Sequence, residues 1–341
     1  MTDVATNQQL TAKDFTSDQE VRWCPGCGDY AILKSVQRVM PELGVPKENI
    51  VFVSGIGCAS RFPYYLSTYG FHTIHGRGPA IATGIKLANP NLDVWLVTGD
   101  GDALSIGGNH LIHVLRRNVN MQILMFNNET YGLTKGQYSP TSHVGTKSPS
   151  TPQGSIDTPL SACALALGAG ARFIARAVDT AKYLPDLLKE AHSYSGTSFV
   201  EIFQNCLVFN DGVFDHFTGR SVAPDKQVFV EHGKPLLFGA EQKLGIRLKP
   251  DALELEVVRL GENGITERDI LHHDETNKTL ASVLIGMEAP QFPVATGVIY
   301  RKPDATYESN VYAQVDAAAA ANPDVDLGQL LQQGRTWLVV G

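Results

Sequence analysis

The stretch from residue 94 to residue 134 constrains the fold more than any other part of the chain. Two apolar segments typical of buried strands, residues 94–98 and 121–126, flank a helical pattern of apolar residues between 105 and 117. Polar residues follow each segment directly: Asp100 within Gly-Asp-Gly after the first, and Asn127-Asn128 after the second. This order predicts a strand–helix–strand unit of a parallel sheet, with polar residues at the strand ends, where such sheets bind ligands.

Similar segments recur on both sides of this unit. Apolar runs at residues 50–53, 173–178 and 198–203 alternate with helical patterns, which predicts an α/β fold with a doubly wound, mostly parallel sheet of five or six strands. We expect an N-terminal arm (1–20), a binding domain (21–210) and a C-terminal extension (211–341) that packs on the core and on a partner. The aperiodic stretch 131–158 is long for an α/β domain, which indicates a functional loop.

The composition is that of a globular protein: 43% of the 341 residues are hydrophobic and 18% are charged. A net charge of −7 argues against nucleic-acid binding, which requires a basic face. No apolar run approaches the roughly 20 residues of a membrane-spanning helix, and the polar N-terminus lacks the plan of a signal peptide. We therefore expect a cytoplasmic protein with neither nucleic acid nor membrane as a partner.

The polar residues at the two strand ends suit a hard cation held against a diphosphate. Asp100 offers a carboxylate oxygen, Asn127 or Asn128 offers an amide oxygen, and Gly99 and Gly101 allow the backbone to approach phosphate closely. Magnesium takes about six oxygens and draws many of them from phosphate and water. A Gly-Asp-Gly turn alone would be uninformative, but its pairing with Asn128, 28 residues later, favours a cofactor site.

This pairing resembles the diphosphate-binding signature of thiamine-diphosphate enzymes. By that resemblance, Asp100, Asn128 and the backbone carbonyl of Thr130 are the protein ligands of Mg²⁺. Asp102 lies just outside the signature, and we expect it to cap the turn beside the diphosphate.

Four cysteines, Cys24, Cys27, Cys58 and Cys206, lie at the ends of predicted elements, whereas Cys163 lies inside an Ala/Leu-rich helix and is expected in the core. In a cytosolic chain such cysteines indicate metal or redox chemistry rather than disulfides. Cys-Pro-Gly-Cys alone fits a thioredoxin-like pair, half a zinc site or half an iron–sulfur site. No strand is predicted before it and no second Cys-x-x-Cys occurs, so a [4Fe–4S] cluster is favoured while zinc remains open. Because Cys58 follows a predicted strand, such a cluster would lie near the diphosphate, which implies one-electron chemistry.

Several segments together resemble the β subunit of the 2-oxoacid:ferredoxin oxidoreductases, in consistent order from about residue 20 to residue 215. They are WCPGCG from Trp23, GIGC from Gly55, HGR from His75, GDGD from Gly99, and NN from Asn127 followed by YGLTKGQ from Tyr131. The resemblance implies thiamine diphosphate, Mg²⁺ and one [4Fe–4S] cluster. It also implies that Cys24, Cys27, Cys58 and Cys206 ligate that cluster.

The resemblance further implies which residues meet cofactors and substrate. Besides the metal ligands, the expected cofactor contacts are Gly57, Cys58, His75, Gly76, Arg77, Gly99, Gly101, Asp102, Gly132 and Leu133. The candidate catalytic residues are Lys135, Arg61 and His75. Lys135 stands where many pyruvate-type enzymes have glycine, and its ammonium could pair with the second carboxylate of 2-oxoglutarate. The alternatives are a solvated loop lysine for Lys135, structural arginines for Arg61 and Arg77, and a turn histidine for His75.

The implied reaction is the CoA-dependent oxidative decarboxylation of a 2-oxoacid, with electrons passed through the cluster to ferredoxin. We favour conversion of 2-oxoglutarate to succinyl-CoA and CO₂. In thiamine enzymes the activating glutamate comes from a different domain, so we expect an α subunit to supply it, with most contacts to coenzyme A, in a heterodimer or heterotetramer. The alternatives are a pyruvate or broad-specificity 2-oxoacid oxidoreductase, a non-redox thiamine-diphosphate decarboxylase or synthase with a structural metal on the cysteines, and a non-catalytic electron-transfer subunit.

Overall fold

The computed structural model describes residues 10–322 and 326–341. Its strands are β1 (Ile50–Ser54), β2 (Tyr69–His72), β3 (Asp93–Gly99), β4 (Met121–Asn127), β5 (Thr130–Tyr131), β6 (Gln137–Tyr138), β7 (Phe173–Val178), β8 (Thr197–Phe203), β9 (Gln227–Val230), β10 (Leu237–Phe238), β11 (Leu244–Leu248), β12 (Leu255–Arg259) and β13 (Val294–Arg301). Its α-helices are α1 (Asp29–Val39), α2 (Gly78–Ala88), α3 (Asp100–Leu104), α4 (Gly108–Arg117), α5 (Ala162–Gly168), α6 (Leu184–Ser193), α7 (Asp215–Thr218), α8 (Ala223–Lys226), α9 (Lys278–Ile285), α10 (Tyr307–Ala321) and α11 (Leu327–Gln332). Short 3₁₀ helices occur at Ala12–Phe15, Met40–Glu42, Lys47–Asn49, Ala59–Tyr65 and Glu267–Asp269.

Eight of these strands form one sheet in the order β2-β1-β3-β4-β8-β7-β13-β9. Every neighbouring pair from β2 to β7 is parallel, whereas β13 runs antiparallel to β7 and parallel to β9. The predicted α/β class with a doubly wound, mostly parallel sheet is therefore confirmed.

Helices cover both faces of this sheet. Leu111 of α4 and Ala166 of α5 are buried in the apolar core on one face, while Val36 of α1 and Leu188 of α6 are buried in the core on the other. All seven residues of β4 are buried, because this central strand is covered on both sides. The buried residues therefore form two layers of core, as a doubly wound fold requires.

The unit around residue 100 differs from the prediction in its helix. Instead of one helix beginning near residue 105, the short helix α3 begins at Asp100 itself, and α4 follows from Gly108. The chain turns between them, and a side chain at Gly107 would collide with the carbonyl oxygen of Asp102. Asp100 therefore lies in the first turn of a helix that starts directly at the strand end.

The C-terminal third supplies part of the main sheet. Its strands β9 and β13 extend the sheet beyond β7, and β10, β11 and β12 form a separate antiparallel sheet. Near the N-terminus, Phe15 is fully buried. Within residues 10–322 and 326–341, no helix is both long enough and apolar enough to cross a bilayer.

Candidate functional site

The carboxyl ends of β3, β4 and β8 lie side by side. Gly99 pairs with Phe126, and Asn127 pairs with Phe203, in continuous parallel register. The residues that follow these strands, Asp100, Asn128 and Gln204, therefore meet at one edge of the sheet. The sequence predicted this meeting for Asp100 and Asn128 because parallel strands end at the same side.

Asp100 is almost fully buried and is oriented by two hydroxyl groups. Ser139 Oγ and Thr141 Oγ1 donate to the same carboxylate oxygen, Oδ2, at 2.5 and 2.7 Å. Burial raises the pKa of Asp100, and the two hydroxyl hydrogen bonds oppose that shift. The predicted functional loop thus reaches the site, because it carries both hydroxyl groups that hold this carboxylate.

The two adjacent asparagines have different partners. Asn127 Nδ2 donates to Glu201 Oε1 at 2.8 Å, and its Oδ1 lies 2.9 Å from Thr141 Oγ1, whose single proton is already directed at Asp100. Asn128 Oδ1 accepts from the backbone N–H of Thr130 at 3.2 Å. Asn127 is thus committed to the protein interior, while the Asn128 amide lies at the edge of the sheet with Thr130.

The glutamate that accepts from Asn127, Glu201, belongs to a buried ion pair with Arg176. Arg176 Nε lies 2.8 Å from Glu201 Oε2, and both side chains are buried. Cys163 Sγ donates to the same oxygen at 3.1 Å, so this cysteine lies in the core as expected. The neighbouring Glu129 is also buried, and burial followed by the charges of Asp100 and Glu201 raises its pKa to about 8.

Asp102 organises two loops rather than capping its own turn. Its Oδ1 accepts from the backbone N–H of Ile56 at 3.1 Å and of Gly76 at 2.7 Å, and it lies 2.6 Å from His75 Nδ1. Its Oδ2 accepts from Thr98 Oγ1 at 2.7 Å, and the first turn of α3 has no side-chain cap. The expected capping role was therefore wrong, because the carboxylate turns towards the loops that follow β1 and β2.

The loop of Cys24 and Cys27 packs against the segment that follows β8. The backbone N–H of Gly28 donates to the carbonyl of Asn205 at 3.2 Å, and Gln204 Nε2 lies 3.3 Å from Cys27 Sγ. Within the loop, the N–H of Cys27 donates to the carbonyl of Cys24 at 3.1 Å. This packing brings Cys27 close to Cys206.

The remaining two sulfurs converge on Gly132. A Cβ atom at this glycine would lie 3.5 Å from Cys58 Sγ and 3.6 Å from Cys206 Sγ. Trp23 Nε1 donates to the carbonyl of Cys58 at 2.8 Å, which ties the loop of Cys24 to the same place. The structure therefore gathers all four predicted cysteines around one region, and a larger residue at 132 would fill it.

Cys27, Cys58 and Cys206 are poor acids in the protein alone. Burial is the main cause that raises the pKa of Cys58 to about 12, and it also raises the pKa of Cys27 and Cys206. The nearby carboxylate of Asp29 is the second cause for Cys27 and Cys58. Positive charge from bound metal would be needed to hold them as thiolates.

The other predicted site residues differ in how firmly the protein holds them. Arg61 Nε donates to Tyr65 OH at 2.9 Å, and Arg77 Nη1 donates to the carbonyl of Ile106 at 3.1 Å. Lys135 is exposed with a φ of 78°, and Leu133 is half exposed. A side chain at Gly101 would collide with the Tyr131 ring, whose hydroxyl donates to the Gly101 carbonyl at 3.2 Å. Of the remaining glycines, Gly57 and Gly76 have left-handed backbones in the loops that follow β1 and β2.

Sequence reasoning missed four polar residues of the site. Ser139 and Thr141 lie in a loop identified only as functional, and nothing in the sequence links them to Asp100. Glu201 and Gln204 were hidden in the last predicted strand and the residues directly after it. A signal was present for both: a polar residue in an otherwise apolar strand, or just beyond it, is costly to bury without partners.

Comparisons with known proteins show the family of this chain. Residues 55–202 match the family described as thiamine pyrophosphate enzyme, C-terminal TPP binding domain. The chain is 50% identical over 339 residues to the 2-oxoglutarate oxidoreductase subunit KorB of Mycobacterium tuberculosis, covering 98% of this chain and 90% of that protein. It is 45% identical over 190 residues to the β subunit of 2-oxoacid:ferredoxin oxidoreductase 1 of Aeropyrum pernix, covering 55% of this chain and 60% of that protein.

A solved structure extends the likeness to the fold. A chain of the 2-oxoglutarate:ferredoxin oxidoreductase from Magnetococcus marinus, with 2-oxoglutarate, coenzyme A and succinyl-CoA bound, superposes with a TM-score of 0.77 at 31% identity. The superposition covers 97% of this chain and 98% of that chain. The predicted family is confirmed by identity and fold along almost the whole chain: this protein belongs to the β subunits of the 2-oxoacid:ferredoxin oxidoreductases, a family of enzyme subunits.

Proposed function

We propose that this chain is the catalytic β subunit of a cytoplasmic enzyme that oxidatively decarboxylates 2-oxoglutarate to succinyl-CoA and passes the electrons through a [4Fe–4S] cluster to ferredoxin. The observation that carries the proposal is that one short segment, residues 128–132, faces both cofactor sites. Asn128 and Thr130 lie beside Asp100, and Gly132 faces the sulfurs of Cys58 and Cys206. An electron acceptor held by the cysteines would therefore be next to the cofactor that reacts.

The strand-end residues fit magnesium bound to a diphosphate. Both hydroxyl groups on Asp100 meet Oδ2, which leaves Oδ1 for a cation. Asn127 is held by Glu201 and Thr141, so Asn128 is the asparagine that would ligate, together with the Thr130 carbonyl. These three ligands are the small protein share that magnesium takes when phosphate and water supply the rest. Thiamine diphosphate, when bound, supplies the electron sink for decarboxylation.

The cysteines fit a cluster better than a single zinc ion. In a [4Fe–4S] cluster each thiolate binds a different iron, whereas the four sulfurs of a zinc site surround one ion at about 2.3 Å. The four cysteines come from separate loops and meet around one region, which favours Cys24, Cys27, Cys58 and Cys206 as ligands of an iron–sulfur group.

Lys135 supports 2-oxoglutarate as the substrate. Its φ of 78° lies in the left-handed region, where a residue other than glycine is strained by about 1–3 kcal/mol. Such strain is most common at functional sites, and the exposed ammonium can meet a carboxylate brought by the substrate. Arg61, anchored by Tyr65 through Nε, retains its terminal nitrogens for a second anionic group.

The surface around the site indicates a partner. Large apolar side chains are exposed on the loops at this edge, including Ile74 (73% exposed), Ile106 (54%) and Ile156 (89%). Ile106 lies beside Gly76, close in sequence to Ile74, and exposed apolar side chains that lie together are typical of a covered interface. We assign this surface to an α subunit that supplies the activating glutamate and most contacts to coenzyme A.

The decisive experiment is a substrate panel on the chain co-purified with its α subunit. We expect a brown protein with an absorbance band near 400 nm, and CoA-dependent reduction of ferredoxin or dye with 2-oxoglutarate. A clear preference for pyruvate would defeat the substrate assignment. A colourless protein that binds zinc, or full turnover by this chain alone, would defeat the cluster or the need for an α subunit, respectively.

A further inference from the structure

Gln204 joins the two cofactor sites through its side-chain amide. The residue is fully buried directly after β8. Its Oε1 accepts from Asn128 Nδ2 at 2.7 Å, and its Nε2 lies 3.3 Å from Cys27 Sγ. Nε2 also donates to the carbonyl of Asn205 at 2.5 Å. One amide therefore contacts a proposed magnesium ligand on one side and a proposed cluster ligand on the other.

The backbone fixes the direction of this chain of hydrogen bonds. The N–H of Thr130 can only donate, so it requires the oxygen of the Asn128 amide on its side. The nitrogen of Asn128 must then face Gln204, which requires Oε1 of Gln204 there. Nε2 consequently points to Cys27 and to the Asn205 carbonyl, which are both acceptors. The reverse orientation would set oxygen against oxygen, so Gln204 is a donor towards Cys27.

We infer that Gln204 is a positioning residue that couples the reduction potential of the cluster to occupancy of the magnesium and diphosphate site. The inference rests on the proposed function, because both metal sites belong to it. The cluster would take one electron at a time from oxidation of the substrate and pass it to ferredoxin, so its potential decides how readily it accepts.

The direction of the effect follows from charge. An N–H···S hydrogen bond stabilises negative charge on a thiolate, and a reduced cluster carries one more negative charge than an oxidised one. The Gln204 bond therefore raises the potential. A cation on Asn128 Oδ1 polarises that amide, strengthens its bond to Gln204, and so strengthens the bond from Gln204 to Cys27. Cofactor binding thus makes the cluster a better acceptor, and by linkage reduction tightens cofactor binding.

The test is a redox titration of the complex with its α subunit, followed by electron paramagnetic resonance, with and without Mg²⁺ and thiamine diphosphate. Iron content and magnesium-dependent cofactor binding are measured first. In the wild type we expect the cofactor to bind about threefold more tightly to the reduced form, which at 59 mV per tenfold for one electron is an upward shift of about 28 mV.

Two variants remove the donor in different ways. Gln204→Met removes both hydrogen-bonding groups at similar length, and Gln204→Glu keeps an acceptor for Asn128 but places a carboxylate near Cys27. Both are expected to lower the potential of the cofactor-free complex and to reduce the shift on cofactor binding by more than half. Gln314→Met makes the same chemical change on the exposed face of α10 and is expected to behave as the wild type.

The outcomes separate the inference from the proposed function. If the wild-type complex has full iron content but its cluster has the same reduction potential with and without the cofactor, the coupling is overturned. The proposed function then stands. The same holds for a Gln204→Met complex with full iron content and an unchanged shift. A wild-type complex without iron, or without magnesium-dependent cofactor binding, defeats the proposed function and the coupling with it. If neither variant assembles a cluster, the wild-type titration decides.

Discussion

His75 Nδ1 lies 2.6 Å from Asp102 Oδ1, and this one oxygen also accepts two backbone N–H groups. A carboxylate can only accept, so Nδ1 carries a proton, and in the neutral ring the lone pair is then on Nε2. Asp102 therefore sets the tautomer of His75 and the approach of the loops after β1 and β2 with a single group.

Asp102→Asn tests this arrangement. An amide oxygen is a weaker acceptor than a carboxylate oxygen for the three donors at Oδ1, so we expect turnover or cofactor affinity to fall about 10–100-fold. The measurements are kcat and the dissociation constant of thiamine diphosphate with magnesium. The matched control is Asp316→Asn on exposed α10. Wild-type values in Asp102→Asn would mean that the carboxylate is dispensable.

Two cysteine variants distinguish a proposed cluster ligand from a cysteine of the hydrophobic core. Cys58→Ser is expected to lose most of the absorbance near 400 nm and most of the bound iron, because an alcohol is a poor replacement for a thiolate on iron. Cys163→Ala is expected to keep both, since its sulfur is buried against Glu201 on the far side of Asn127. Iron quantification and visible spectra check this. Equal iron content in the two variants would remove Cys58 from the ligand set.

The Asp100→Asn variant should bind the cofactor more weakly than the wild type but be more stable in its absence. Because burial raises the pKa of Asp100, ionisation of this carboxyl destabilises the fold in the absence of a cation. We expect the cofactor-free variant to melt about 2 °C higher than the wild type, while magnesium-dependent binding of thiamine diphosphate falls by more than about 100-fold. Calorimetry of both proteins, with and without the cofactor, gives the two quantities. A cofactor-induced rise in Tm that survives in the variant would contradict the magnesium assignment.

The sequence predicted the sheet and the meeting of Asp100 with Asn128 because both depend on local order. β3 and β4 are apolar runs, and Asp100 and Asn128 follow them directly, so parallel pairing brings them together whatever the rest of the chain does. The role of Asp102 was misjudged because its partners, Ile56 and Gly76, come from loops distant in sequence. The same applies to Gln204, whose partners Asn128 and Cys27 come from two segments distant in sequence.

The C-terminal extension shows that hydrophobic periodicity predicts a strand but not the strands it pairs with. Residues 294–300 resemble an isolated strand in the sequence, yet β13 pairs with both β7 and β9 in the main sheet. Short strands separated by long connections carry no local signal for their neighbours, so their place depends on long-range pairing.

Lys135→Gly tests substrate choice. Glycine removes the ammonium and also the backbone strain at φ 78°, so we expect no loss of thermal stability. Loss of an ion pair to the substrate should lower kcat/KM for 2-oxoglutarate by about 10-fold or more, with little change for pyruvate. Lys135→Ala keeps the strained backbone and is the control for side-chain loss. An equal fall in kcat/KM for both substrates would show that Lys135 does not bind the second carboxylate.

The buried side chain of His273, which lies outside the candidate site, should make the protein less stable in mild acid. The side chain is buried, Nε2 lies 2.8 Å from the Val298 carbonyl, and Nδ1 has no hydrogen-bond partner within the described residues. Burial lowers the pKa of His273, so the unfolded chain binds the proton more readily than the fold. The contribution of neutral His273 to the free energy of unfolding should therefore be fully present above pH about 6.5 and decrease as the pH drops below it.

The variant His273→Phe should flatten this fall, while losing about 1 kcal/mol at pH 8 because the Val298 carbonyl loses its donor. Melting temperatures between pH 5 and 8 measure both effects, and His113→Phe on the exposed side of α4 is the control. Identical pH profiles for His273→Phe and the wild type would show that this histidine does not titrate with unfolding.

The position of β13 between β7 and β9 has a consequence for synthesis on the ribosome. The outer edge of β7 is covered only by a strand that begins more than a hundred residues later. Until that strand leaves the exit tunnel, the nascent sheet presents an open, apolar edge of the kind that nucleates aggregation. Heterologous production should therefore depend on chaperones that shield a growing polypeptide, and slow translation of the last third would prolong the hazard.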